Sequence, residues 1–498
     1  MFININRKIT KSKSYYFIFA CLILALYSHH LFGNYMGSNE YTYLLLGRSV
    51  WEGNLPLIEH WDNRGPLVFY FFAINFFFKN FIIAEKLSVM LSLFISSIIF
   101  FKTSLRFTNL FGAFFSTIGL IIFCSISTIN SVQVEHYVLP FMCMFLYFIF
   151  LSYKNLGDKS KNAFLAGFAI SLATLIRPNL GLVALAGAAI FLLPKKKKLF
   201  NFIMYVFGGF LPLMLLVFQY SRNIENLKLL WDSTITAHLN LHGGRPIYYG
   251  LYQFLERFIN NGSWSILIIV VLIIVLSKIL KKKYKDDCLF IFILFFTIFL
   301  SFILSRKFND HYLIPMFPCL LIICSSVFNQ SYFKKKNYVL FYFLLIFSQA
   351  LLSNFNQKLQ LIYNPQNQQE ILGFLLKDKI KNTDKIFSTE VGLYLYLNKV
   401  NLLRIVDSAH FSREYNYVSV FGNQDMKFSN EFEKVLKKET DFLIIRKEFY
   451  KENFFKDIKD QLKNKYYLYE FYDEANTANY KKNIKKYIEG IDVYKLRK

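Results

Sequence analysis

Residues 195–219 read KKKKLFNFIMYVFGGFLPLMLLVFQ, four lysines followed by an apolar run that meets no charge until Arg222. A helix needs about 20 apolar residues to cross the hydrocarbon core of a bilayer. A lysine cluster at the edge of such a run marks a loop held on the cytoplasmic side. The same pattern repeats outward in both directions. Apolar runs occupy 15–32 and roughly 67–83, 87–105, 110–130, 137–153, 162–176, 179–194, 263–280, 288–305, 312–328 and 337–353. Basic clusters separate several of them: Lys154, Lys159 and Lys161; Lys278, Lys281 to Lys283 and Lys285; Lys334 to Lys336.

The clusters set an expected orientation, with the N-terminus cytoplasmic and the C-terminal tail extracytoplasmic. They also expose a parity conflict. Loop 34–66 and segment 131–136 both fall outside, so an even number of crossings separates them, yet three apolar runs lie between. One of the three is expected not to cross.

Hydrophobic residues make up 54% of the 498, and Phe alone occurs 58 times, more apolar surface than a water-soluble domain of this size can hide. The net charge of +25 comes from loop clusters and the tail. No basic helix or aromatic–basic motif accompanies it, which excludes nucleic acid as the partner. Cys21, Cys124, Cys143, Cys288, Cys319 and Cys324 lie in or beside apolar runs without a CxxC pair, so they read as small buried hydrophobes. Arg7, Lys8, Lys11 and Lys13 precede a first run too long for a secretory signal and lacking a small-residue cleavage site. That run reads as an uncleaved first span.

The expected fold is an all-α polytopic membrane bundle of about 11–12 spans with a small α/β extracytoplasmic C-terminal domain. Residues 1–353 form the transmembrane domain, with long outer loops at 34–66 and 220–262, and 354–498 form the tail domain. In the tail, Lys385–Ser388, Tyr415–Val420, Asp441–Ile445 and Tyr466–Tyr472 read as strands. Gln368–Leu376 and Glu431–Leu436 read as helices.

Residues suited to chemistry gather in the outer segments. Loop 34–66 carries Asn39-Glu40-Tyr41, Arg48 and His60-Trp61-Asp62-Asn63-Arg64-Gly65-Pro66. Glu40 and Asp62 suit general-base work on a hydroxyl. Arg48 and Arg64 suit a phosphate held by several directed donors. Arg177, Arg245, Arg306 and Lys307 fall on the same expected side. Trp231, Tyr248 and Tyr249 suit either a membrane interface or a sugar ring. Glu135, His136, His238 and His242 offer oxygen and imidazole ligands for a divalent metal ion, though at no diagnostic spacing.

The order of these stretches resembles the GT-C glycosyltransferases, above all the bacterial aminoarabinose-transferase, RgtA-like and protein O-mannosyltransferase groups. The resembling features are an acidic pair just after the first span and Trp61-Asp62-Asn63-Arg64-Gly65-Pro66-Leu67 entering the next run. Val134-Glu135-His136-Tyr137-Val138-Leu139-Pro140 and Arg306-Lys307-Phe308-Asn309-Asp310-His311-Tyr312-Leu313-Ile314-Pro315 complete the pattern. The resemblance covers about residues 15–353. It implies transfer of a sugar from a polyprenyl-phosphate donor to an envelope glycan, lipid or protein acceptor on the outer face of the inner membrane. It also brings His311 and Tyr312 in as substrate-binding residues and a divalent ion near a loop carboxylate and a histidine.

One departure matters. The family's acidic pair is Asp-Glu and here it is Asn39-Glu40, and Asn accepts no proton at neutral pH. Glu40 then serves one residue displaced, or Asp62 or Glu135 serves, or the chain binds lipid-linked sugar without turning it over. Two rivals remain. A flippase for a lipid-linked saccharide predicts charges deep in spans and repeated halves, and a non-catalytic scaffold predicts neither.

Overall fold

The computed structural model describes residues 13–32, 38–126 except 63, 132–192, 198–236, 248–260, 262–280, 285–305, 308–325, 368–399, 440–446, 464–472 and 491–497, with a few single residues between these. Its contacts divide the chain into two compact units. One contains Met1–Phe32, Asn80–Arg222 and Gly244–Tyr363; the other contains Gly33–Lys79, Asn223–Gly243 and Asn364–Lys498.

The first unit is helical. Phe81–Phe107, Glu135–Tyr153 and Leu199–Tyr220 are each long and apolar enough to cross a membrane. Lys13–Phe32, Leu110–Ile126, Lys159–Ile176 and Gly181–Leu192 pack on one or more of them, and Lys285–Leu304 packs on Gly181–Leu192 and on Gly262–Leu280. Phe207, Phe210, Met214 and Phe218 project from the Lys198–Tyr220 helix with more than half their surface exposed. Lipid is the solvent such a face requires. Cys124, Cys143, Cys319 and Cys324 are buried as expected, whereas Cys21 is exposed, turned outward with Phe17 and Leu24 of its helix.

Helix ends follow local chemistry. The Asp158 carboxylate caps Lys159–Ile176 by accepting from the Ser160 and Lys161 amides at 3.0 and 3.1 Å. Pro178 pushes Arg177 out of the helical region, to φ −130 and ψ 94, and ends that helix. Lys159–Ile176 crosses Lys198–Tyr220 at backbone distance. A Cβ on Gly167 would fall on the Tyr205 carbonyl, and one on Gly208 on the Phe164 carbonyl. Small residues give membrane helices this close approach. Gly167→Ala is expected to lower stability by about 1–3 kcal/mol, read as an earlier thermal unfolding midpoint in detergent; an unchanged midpoint would show that the helices can part freely.

The run at 67–83 is not one continuous helix. It breaks into a helix at Leu67–Ile74, a 3-10 turn at Asn75–Phe77 and a new helix that starts at Phe81. Asn80 caps the new helix, its side chain accepting from the Ile83 amide at 3.1 Å. Eight residues rise only about 12 Å, against roughly 30 Å of hydrocarbon. Two apolar helices follow, Phe81–Phe107 and the shorter Leu110–Ile126.

The second unit brings loop segments together with the tail. Strands Ile386–Ser388 (β1), Phe442–Arg446 (β2), Tyr466–Tyr472 (β3) and Ile491–Leu496 (β4) form one sheet in the order β1-β2-β4-β3. β1 and β2 are parallel, and the other pairs are antiparallel. Three of the strands lie where the sequence placed them, as does the helix Gln368–Leu376. β4 was not foreseen, and Tyr415–Val420 lies outside the described residues. Helix Ser38–Trp51 packs on the short helix Gly392–Tyr396, with the Tyr41 and Tyr396 hydroxyls 3.1 Å apart. Burial, first of all, pushes both phenols up. Both therefore keep their protons at neutral pH, and one donates to the other.

Candidate functional site

In the loop-and-tail unit, the Ser38–Trp51 helix places Asn39 and Glu40 in its first turn, where a carboxylate favours the helix dipole. Asn39 is half-buried, and Glu40 is fully buried. Tyr43, one turn on, meets the second acidic stretch. The Arg64 guanidinium donates to the Tyr43 hydroxyl at 2.7 Å and to Asp62 Oδ1 at 3.4 Å, with its carbon 5.3 Å from the Tyr43 ring centre. Asp62 is 1% exposed and Arg64 7%. A charge that deep in the fold needs a partner, and each supplies the other's. Trp61 anchors the stretch by donating its indole N–H to the Ser233 carbonyl at 3.4 Å. Arg48 goes elsewhere: it pairs with Glu52 four residues on, at 2.7 Å, near the surface.

The helical unit holds a second set at one end of its bundle. Glu135 lies in the first turn of Glu135–Tyr153, and Arg177 caps the C-terminus of Lys159–Ile176. Each helix dipole favours the charge it receives, and the two ends meet in a buried ion pair from Arg177 Nη2 to Glu135 Oε1. Glu135 Oε2 is buried and accepts no hydrogen bond among the described residues. His311 Nε2 stands 4.0 Å from Glu135 Oε1, and the Arg177 guanidinium lies 4.8 Å from the Tyr312 ring centre. The 3-10 segment Asp310–Met316 supplies both of these residues.

Pro140 shapes the same end. It has no amide proton to give the carbonyl four residues earlier, and the Ser92 hydroxyl donates to that freed His136 carbonyl at 2.6 Å. The His136 ring is itself spanned, with the Gln133 carbonyl 3.1 Å from Nδ1 and the Tyr27 hydroxyl 3.2 Å from Nε2. Both ring nitrogens are thus engaged inside the fold, and Glu135 is held by Arg177. No three His, Cys, Asp or Glu side chains gather for a metal among the described residues. His238, His242, Arg245, Arg306 and Lys307 lie outside the described residues.

Sequence reasoning passed over one pair. Glu85 and Lys86 are 0% and 2% exposed in the first turns of Phe81–Phe107, a helix otherwise uncharged until Lys102. The signal was available, since an acid and a base side by side in an apolar run mark function by default. The next turn joins the Glu135 end of the bundle, where Ser88 Oγ lies 2.6 Å from the Tyr137 hydroxyl.

Each set, taken by itself, holds a buried carboxylate able to take a proton or face positive charge and a buried cation able to hold an anion. No family model matches the chain, and no curated protein matches it. Solved structures share its fold. ArnT from Cupriavidus metallidurans bound to undecaprenyl phosphate is similar at 12% identity and a TM-score of 0.61, over 96% of this chain and 97% of that one. Its apo form gives 11% and 0.60 over 97% and 98%. The archaeal oligosaccharyltransferase AglB from Archaeoglobus fulgidus, in complex with an inhibitory peptide and a dolichol-phosphate, gives 10% and 0.50 over 89% and 70%.

Proposed function

This chain has the fold of the GT-C glycosyltransferases, and from that premise we propose that it moves a sugar from a polyprenyl-phosphate carrier to a cell-envelope acceptor. The observation that carries the reading is the buried Asp62–Arg64–Tyr43 set beside a helix that buries Glu40. A carboxylate so placed suits proton abstraction, and the fold is one whose solved example holds undecaprenyl phosphate.

The chemistry follows from those groups. A carboxylate, Glu40 or Asp62, takes the proton of the acceptor hydroxyl. The freed oxygen bonds to the anomeric carbon as the carbon–phosphate-oxygen bond breaks, and the electron pair leaves on the polyprenyl phosphate. Attack opposite the leaving group inverts the anomeric centre. The transition state carries oxocarbenium character, which nearby carboxylates stabilise. The departing phosphate gathers charge and needs fixed cations rather than a proton. Arg64 is the buried candidate in the unit that carries Asp62 and Glu40, while Lys86 and Arg177 are buried cations of the helical unit. In the helical unit, Glu135 commits one oxygen to Arg177 and leaves Oε2 without a hydrogen bond among the described residues.

Substrate finesse goes further than the fold: a hexosyl or pentosyl unit, delivered to glycan, lipid or protein at the extracytoplasmic face of the inner membrane. Purified protein in liposomes with undecaprenyl-phosphate-linked radiolabelled sugar and an envelope extract is expected to release undecaprenyl phosphate and label the acceptor. Movement of the intact donor between leaflets without label transfer would favour the flippase. Asn39 favours one other reading, a scaffold that binds such lipids, and donor binding with neither transfer nor movement would select it.

A further inference from the structure

The Tyr248–Asn260 helix has two working faces and sits wholly within the helical unit. One face docks. Gly250 is buried, and Phe254 packs 4.8 Å from the Phe299 ring and 5.1 Å from the Phe308 ring. Gln253 Oε1 accepts from the Phe308 amide at 2.9 Å. Arg257 donates to Asn309 Oδ1 at 3.3 Å and stands 3.4 Å from Asp310 Oδ1. The helix thus grips residues 308–310, immediately before His311 and Tyr312.

The other face is exposed and apolar. Tyr248, Leu251, Tyr252, Leu255 and Ile259 recur at three- and four-residue spacing, with Tyr248 70% and Ile259 79% exposed. Glu256 and Asn260, also exposed, run along one side of that stripe. The exposed half is therefore divided lengthwise into an apolar and a polar strip, as at a boundary between hydrocarbon and water. The helix is only about 20 Å long, too short to cross. It leads within two residues into the apolar Gly262–Leu280 helix, and the Ser265 hydroxyl of that helix donates to the Phe258 carbonyl. Its end is thus tied to the start of an apolar helix, and tyrosines are residues of the membrane–water interface.

We propose that Tyr248–Asn260 lies in the plane of the membrane interface, its stripe sunk among bilayer phospholipids, and that its docked edge positions the turn carrying His311 and Tyr312. The occupant of the stripe is bulk lipid, not the carrier's prenyl chain and not a second copy, and the placement stands whether or not the chain transfers a sugar. In this arrangement Gln253 and Arg257 are positioning residues.

The placement is tested with Leu255→p-benzoylphenylalanine in phosphatidylethanolamine–phosphatidylglycerol vesicles seeded with undecaprenyl phosphate, by intact mass after irradiation. A phospholipid adduct is the expected product. A crosslinked dimer, an undecaprenyl phosphate adduct or no adduct would each overturn it. The positioning half is read by carbethoxylation of His311 with diethylpyrocarbonate, mapped by peptide mass. Arg257→Ala is expected to raise labelling severalfold, and Arg257→Lys to return it toward the wild-type rate. Equal labelling in wild type and Arg257→Ala would overturn that half, as would failure of the lysine to restore it.

Discussion

Asp62→Asn is expected to lower sugar transfer by about 10²–10⁴, the range a positioned general base contributes, and Glu40→Gln to do the same. Neither replacement changes side-chain size appreciably, and both keep hydrogen-bonding capacity. Asp62→Asn, however, removes the carboxylate charge that faces the buried Arg64 and costs stability as well. Rates are therefore compared on protein shown to be folded by its thermal unfolding midpoint. Loss of rate with retained donor affinity is the signature, measured as kcat against KM for the lipid-linked sugar. The Asn39 position sharpens the test. If Glu40 and Asp62 do the proton work, Asn39→Asp changes the rate by less than about threefold, a small effect beside the general-base range. A large gain from Asn39→Asp, with no loss from the other two, would mean that the natural chain lacks its base and binds lipid-linked sugar without transferring it.

Arg177→Ala is expected to destabilise the protein by about 3–5 kcal/mol, the cost of leaving one member of a buried pair uncompensated. Glu135 is 0% exposed and has no water to turn to. Thermal unfolding in detergent reads the change. The double replacement Glu135→Leu with Arg177→Leu removes both charges and should recover most of the loss, while transfer stays abolished. If the double variant is as unstable as the single one, the ion pair is not what Arg177 contributes, and its packing against Tyr312 is. If the double variant transfers sugar normally, the pair belongs to the architecture alone.

Much of the architecture was legible in the chain because lipid imposes a simple rule. Apolar length and lysine position mark spans, and most of the runs became helices within a few residues of their expected ends. The break at 67–83 shows what hydropathy alone leaves open, since the basic clusters require that one of three runs not cross without saying which. Hydropathy sees Leu67 to Ile83 as one apolar run, but Lys79 and the capping side chain of Asn80 divide it. A single cap outweighs the average composition. The tail was harder. β4, with Asp492 and Lys495 among its six residues, has too mixed a pattern to stand out, and its partners supply its register.

The chemistry was legible in part for a different reason. Asp62 and Arg64 stand two residues apart, so their pairing is local, yet the sequence pattern suggested separate roles, a base and a phosphate holder, rather than a pair. Glu135 and Arg177 are 42 residues apart, and only the antiparallel packing of their helices joins them. Glu85 and Lys86 lie apart from the charged loops, just inside an otherwise apolar helix. The strongest hint in any apolar run is the charge that ought not to be there.

The glycine crossing of Lys159–Ile176 against Lys198–Tyr220 also bears on precision. With backbone against backbone there is no cushion of flexible side chains to absorb a slip. A slide of one residue along the axis would move Arg177 by about 1.5 Å and swing it about 100° around the helix, out of reach of Glu135. The contact therefore works as a keyway, holding a guanidinium in register from three helical turns away.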